Sequence, residues 1–140
     1  MTDLFAVHDY ARTGDLLTER YRDLGKAGAG VPDNARPALA PGFQYNGTPV
    51  ILSEFGGIAF IPAGHEVPPE SWGYSGVEKT ESDALERLRG IYTAISKLRF
   101  VGICYTQLTD VEQEINGLLT YDRKPKFDVK KIRELNDLLR

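Results

Sequence analysis

Residues 49–60, Pro-Val-Ile-Leu-Ser-Glu-Phe-Gly-Gly-Ile-Ala-Phe, decide how this chain is read. The apolar run Val50-Ile51-Leu52 has the character of a buried strand. It closes on Ser53 and the carboxylate of Glu54, and Phe55 leads into Gly56-Gly57. A buried strand that ends on an acid and then breaks on two glycines fits the mouth of a parallel sheet, with the glycines turning the backbone sharply. It fits equally a solvated carboxylate at a strand end.

The same pattern recurs on either side. Asp3 to His8 is a short apolar strand that ends in His8-Asp9-Tyr10, and Phe100 to Tyr105 is another that ends in Thr106-Gln107. Between and after them lie helical periodicities. Leu16, Leu17, Arg20, Tyr21 and Leu24 share one face behind Gly14-Asp15. Leu85, Leu88, Ile91, Tyr92, Ile95 and Leu98 follow a start at Thr80 or Ser82. Val129, Ile132, Leu135 and Leu138 follow Asp128. Strand and helix alternate three times, which predicts βαβ units and a parallel sheet buried on both faces. Gly25 to Gly42 and Phe60 to Gly76 read as loops. In such folds the polar groups at the carboxyl ends of the strands form one rim, and function sits there.

Composition sets the bounds. The 140 residues, 41% hydrophobic and 26% charged, suit one globular domain. A net charge of −3 argues against nucleic acid. The clusters Arg123-Lys124-Pro125-Lys126 and Lys130-Lys131 read as solvated surface. No apolar run nears the roughly 18 residues a membrane helix needs, and residues 1–20 lack the pattern of a signal peptide. The chain as written is expected in the cytoplasm, and a longer parent would set its own address. The single Cys104 sits in an apolar run and reads as a small core residue. His8 and His65 have no metal-ligand spacing, so no metal is expected. One glycine between the first strand and its helix is too few for a dinucleotide turn. Ser53 lacks the Gly-x-Ser-x-Gly elbow of a serine hydrolase. No cofactor is expected.

At these residues the sequence resembles glycoside hydrolase family 2, the β-galactosidases, β-glucuronidases and β-mannosidases. PVILSEFGG (49–57) is similar to the segment carrying that family's nucleophile. AVHDY (6–10) looks like the end of its sixth barrel strand. FVGICYTQLTDVEQEINGLLTYDRKPKF (100–127) looks like its last strand and closing segment, and WGYSG (72–76) like a loop of galactosidase-like members. The resemblance implies an α/β fold, a partial TIM (β/α)8 barrel in which residues 1–140 supply strands 6–8 with their helices. It implies Glu54 as the catalytic nucleophile and Tyr10 as the tyrosine that supports it. His8, Asp9, Trp72, Gln107 and Asp110 become substrate-binding positions on the rim. Trp72 reads equally as a sugar-stacking ring or a loop anchor. Glu112 and Glu114 read as surface or structural.

The resemblance also implies what is missing. Retaining chemistry needs two carboxyl groups about 5–5.5 Å apart. The family's acid/base is the Glu of an Asn-Glu pair, and no such pair occurs in this sequence. Three strands cannot close a barrel. The expectation is therefore part of a retaining exo-β-glycosidase, inactive alone, acting on a β-linked saccharide once the missing barrel half is supplied, or else self-associating. Uronate-binding members carry Asn-x-Lys before the glycine matching Gly117. Here that triplet is Glu114-Ile115-Asn116, and an acid there would repel a uronate and favour a neutral sugar such as galactose. The alternatives are a non-catalytic carbohydrate-binding or structural remnant that oligomerises or binds a partner chain, and an unrelated small α/β enzyme with Glu54 as general base.

Overall fold

The computed structural model describes residues 3–26 and 37–140. Its order is β1 (Phe5–Asp9), α1 (Gly14–Tyr21), β2 (Val50–Gly56), β3 (Ala59–Phe60), β4 (Val77–Glu78), α2 (Glu81–Ile95), β5 (Gly102–Thr106) and α3 (Val129–Asp137). Strands β1, β2 and β5 form one parallel sheet with β2 in the middle. Strands β3 and β4 make a separate two-stranded parallel pair, which the loop reading of 60–76 did not anticipate. The part of the Gly25–Gly42 loop at 27–36 lies outside the described residues.

Each helix starts where its sequence supplies a cap. The side chains of Thr13, Thr80 and Asp128 accept from the backbone N–H groups of Leu16, Asp83 and Lys130. These bonds satisfy donors that the first helical turn leaves without partners. Helices α1 and α2 then bury Leu17, Tyr21, Leu88, Ile91, Tyr92 and Ile95 against the sheet residues Val7, Val50, Leu52 and Phe55. Burying each large apolar side chain contributes about 1.5–3 kcal/mol. Helix α3 packs on α2 chiefly through Leu135. Val129 (64% exposed) and Leu138 (37%) lie outside the face expected for them.

The sheet is covered on one face only, which corrects the expectation of strands buried on both sides. Along β1, Val7 and Asp9 are buried while Ala6 and His8 are exposed. Cys104 is exposed too, not in the core. Its neighbours Ile103 and Tyr105 pack against the core and alternation turns Cys104 the other way.

Middle strand β2 breaks that alternation. Leu52 and Phe55 are both fully buried yet three residues apart, and a regular strand would send one of them outward. An extra residue takes up the slip. Val7 pairs with Leu52 but His8 pairs with Glu54, so Ser53 bulges between them. The Ser53 hydroxyl donates to the Val7 carbonyl at 3.1 Å. A bulge of this kind bends the strand and re-aims the next side chain, here Glu54.

Candidate functional site

Glu54 stands at the carboxyl end of β2 between the ends of β1 and β5. Its side chain is 37% exposed. The Tyr10 hydroxyl, one residue beyond β1, donates to Glu54 Oε2 at 2.5 Å. His8 Nδ1 lies 3.2 Å from the same oxygen. Burial and then the carboxylate beside it raise the Tyr10 phenol well above the ordinary tyrosine range. Tyr10 therefore stays a neutral donor to Glu54.

The two glycines of the opening stretch make the cluster fit. Gly56 and Gly57 have φ of +86° and +55°, the left-handed region that glycine enters without a Cβ penalty. A Cβ on Gly56 would fall 2.2 Å from the Tyr105 ring. One on Gly57 would fall 2.7 Å from the Tyr10 ring and 2.8 Å from the Tyr74 ring. Both glycines are needed twice, for the turn and for the rings that close on it.

Those rings form an aromatic wall. Tyr10 and Tyr74 stack with centroids 3.7 Å apart and planes within 3°. Trp72 meets Tyr74 edge-on at 5.2 Å. Trp72 and Tyr74 are 44% and 45% exposed. Trp72 is also an anchor: its N–H donates to the Gln113 carbonyl at 2.8 Å, and its carbonyl accepts from Ile115 N–H at 3.0 Å.

Other residues expected on the rim lie elsewhere. Asp9 faces the helices, because alternation puts it opposite His8. Its side chain is 1% exposed and pairs with Arg20 at 2.5 Å. Its Oδ1 also accepts from Ala11 N–H, and Oδ2 is buried without a hydrogen-bond partner. Asp110 is buried inside the segment after β5. It accepts from Gly117 N–H at 2.8 Å and pairs with Lys126 Nζ at 3.0 and 3.1 Å. Lys126 also donates to the Ile115 carbonyl at 2.9 Å. That lysine was read as solvated surface, yet it is only 4% exposed. Burial lowers its ammonium from the ordinary lysine value, and Asp110 opposes the shift.

Gln107 follows β5 and binds the closing segment through its backbone: its N–H donates to the Asn116 carbonyl, and its carbonyl accepts from Leu118 N–H. Glu114 Oε1 accepts from Asn116 Nδ2 at 3.1 Å. Tyr74 was missed as a site residue. The signal was present, since Trp72 and Tyr74 two apart on an extended segment present both rings to one side.

A hollow of about 730 Å³ lies between α1 and α2, lined by Arg12, Asp15, Glu78, Arg87 and Arg89 among others and by neither Glu54 nor Tyr10. Arg87 is engaged there by Glu78, Ser75 and the Arg12 carbonyl. Among the described residues no group of three or more His, Cys, Asp or Glu side chains could hold a metal ion. No helix among them is long and apolar enough to cross a membrane.

No family model matches the chain, and no curated protein matches it. Among solved structures it is similar to three β-glucuronidases. One is from Bifidobacterium dentium, complexed with coumarin-3-O-glucuronide, at 26% identity over 63% of this chain and 14% of that one, with a TM-score of 0.46. The second, from an uncultured Clostridium, has 19% identity over 66% and 16% at 0.46. The third, from Faecalibacterium prausnitzii, has 22% identity over 65% and 15% at 0.45. The chain thus spans about a seventh of the length of each of these three structures.

Proposed function

We propose that the chain is the C-terminal part of the catalytic (β/α)8 barrel of a glycoside hydrolase family 2 enzyme, a retaining exo-β-glycosidase that removes terminal β-linked sugars. Its sheet would supply strands 6–8. The observation that carries the reading is the hydrogen bond from Tyr10 to Glu54 at the mouth of a parallel sheet. It joins two residues 44 apart that the family resemblance pairs independently.

On this reading Glu54 is the nucleophile. Tyr10 and His8 both address Oε2, which leaves Oε1 to attack the anomeric carbon. The new C–O bond forms as the glycosidic C–O bond breaks, and the departing oxygen takes a proton from an acid outside this chain. Water then attacks the glycosyl ester, releasing the sugar with retained configuration and freeing Glu54. Trp72 would offer its face to the sugar. Glu114, with its carboxylate held by Asn116, disfavours a uronate and suits a neutral sugar such as galactose.

Both other acids assigned to the rim are engaged elsewhere, Asp9 by Arg20 and Asp110 by Lys126. Neither is placed to act as acid/base, so the chain alone is expected to be inactive. Activity would come with the missing barrel half, bound across the uncovered sheet face and beside the outer strands β1 and β5.

The test is hydrolysis of an aryl β-galactoside. The purified chain gives no turnover. Reconstituted with the five missing strand–helix units, it turns over, and Glu54→Gln abolishes this without loss of the fold. Retention of most activity by Glu54→Gln removes the nucleophile assignment. Robust turnover by the chain alone overturns its incompleteness. A carbohydrate-binding remnant is the second reading, favoured by the exposed Trp72 and Tyr74 rings. It takes the lead if the chain binds galactosides but no reconstitution yields turnover.

A further inference from the structure

We propose that Tyr74 is a positioning residue, whose ring clamps Tyr10 so that the Tyr10 hydroxyl stays on Glu54. Its effect on turnover rests on the glycosidase reading above, but the clamp itself does not.

The argument starts at the backbone. Tyr10 lies beyond the last residue of β1, so the ladder does not fix its side chain. Its ring is held from one face by Tyr74, in near-parallel contact at 3.7 Å. Gly57 sits against the edges of both rings, so close that a Cβ would strike each of them. Trp72 abuts Tyr74 edge-on from the other direction. The Tyr10 ring therefore has little freedom to swing, and its hydroxyl meets Oε2 at 2.5 Å. Aromatic pairs of this kind contribute about 0.5–1.5 kcal/mol beyond their buried area, enough to decide a side-chain orientation.

Tyr74 is in turn held from a distance. Its neighbour Trp72 is hydrogen-bonded on both sides to residues 113 and 115. That segment is pinned by the buried Lys126, which joins Asp110 to the Ile115 carbonyl. A continuous series of contacts thus runs from the closing segment through Trp72, Tyr74 and Tyr10 to the carboxylate. The burial and hydrogen bonding that raise the Tyr10 phenol are consistent with a ring held in place.

The test uses the full 140-residue chain with tyrosine labelled at the ring Cζ, read by NMR against pH. Tyr10→Phe identifies the Tyr10 signal by its loss. In the parent chain that signal is expected to hold its neutral position to about pH 11, past the ordinary tyrosine value of about 10. Tyr74→Phe keeps the stack and loses only the Tyr74 hydroxyl, whose hydrogen bond to Tyr10 is a minor cause of the raised phenol, so its signal should stay closer to the parent's than to the leucine variant's. Tyr74→Leu removes it, and the Tyr10 signal should titrate near about pH 10. Gly57→Ala drives the two rings apart without deleting either, and should have the same effect should the leucine variant fail to fold. A Tyr10 signal unmoved by Tyr74→Leu and Gly57→Ala overturns the proposal, and so does a Tyr74→Phe variant that titrates like Tyr74→Leu.

In the reconstituted enzyme Tyr74→Leu is expected to lower kcat about tenfold with KM within about twofold, and Tyr74→Phe to restore it. No change in kcat overturns the role in turnover and leaves the clamp to the NMR result. Full activity of Glu54→Gln removes the nucleophile assignment, and failure of every reconstitution removes the glycosidase reading, while the Tyr10 titration still stands or falls by itself.

Discussion

Two carboxylates divide this molecule. Glu54 ends the middle strand, over a third exposed, with a phenol and an imidazole nitrogen for neighbours. Asp110 lies in the closing segment, 7% exposed, facing the ammonium of Lys126, itself 1% exposed in its side chain. Both are acids toward the carboxyl end of a strand of the same sheet, Glu54 within β2 and Asp110 four residues past β5. Asp110 is held by a full opposite charge and by the Gly117 N–H. Glu54 receives its closest bond from a donor that cannot neutralise it, and keeps an oxygen for other use. A carboxylate with a buried cation holds structure together. One with a neutral donor and open solvent is equipped for chemistry.

The sharpest way to break that contrast is at Lys126. Lys126→Met leaves Asp110 as a buried charge without its cation, and removing one partner of such a pair costs about 3–5 kcal/mol. Urea denaturation should show a midpoint lowered accordingly. Lys126→Met combined with Asp110→Leu should recover a good part of the loss, since a well-packed apolar pair is often as stable as the ions it replaces. A single variant that unfolds at the parent midpoint would place Asp110 with Glu54, as an acid that water can serve.

The contrast was only half legible in the sequence. Glu54 and Tyr10 stood out because strand ends and a family resemblance marked them together. The three parallel strands and three helices followed from apolar spacing, and the caps from Thr80 and Asp128. The Asp110–Lys126 pair was not legible, because sixteen residues of irregular chain separate them and a lysine beside Arg123 and Lys124 looks like surface. The exposed Cys104 and the buried Asp9 were misread for one reason. Both depend on which face of the sheet the helices cover, and local hydrophobicity does not say. The Ser53 bulge also escaped notice, although the three-residue spacing of Leu52 and Phe55 would have betrayed it once both were known to be buried.

A smaller effect probes the support beneath Glu54. Tyr92 on α2 packs edge-on against Phe55, the residue after Glu54, at 5.5 Å. Burial pushes its phenol up to about 12. A phenol whose value is raised in the folded state contributes stability that is fully present below about pH 10, its unfolded value, and is lost as pH rises through about 12. At about pH 11 the loss from this group is on the order of 1 kcal/mol. Tyr92→Phe should therefore unfold less readily than the parent at that pH relative to neutral, by urea midpoints at the two values. An equal alkaline loss in both proteins would mean that Tyr92 meets water beneath the strand.

The smallest expected change in stability carries the most information. Tyr10→Phe deletes the hydroxyl that meets Glu54 and keeps the ring in its stack. If Glu54 resembled Asp110, losing its closest donor would strand a charge and cost several kcal/mol. Glu54 is open to solvent, so water replaces the phenol, and the cost should be about 1 kcal/mol or less. If the proposed glycosidase function holds, the same variant in the reconstituted enzyme should lose about a hundredfold in kcat, because Glu54 would no longer be oriented for attack. A large catalytic loss beside a small loss of stability would mark the bond as one that serves reaction rather than folding. A large loss of stability with little change in turnover would reverse the assignment and make Tyr10–Glu54 a second structural lock, of the same kind as Asp110–Lys126.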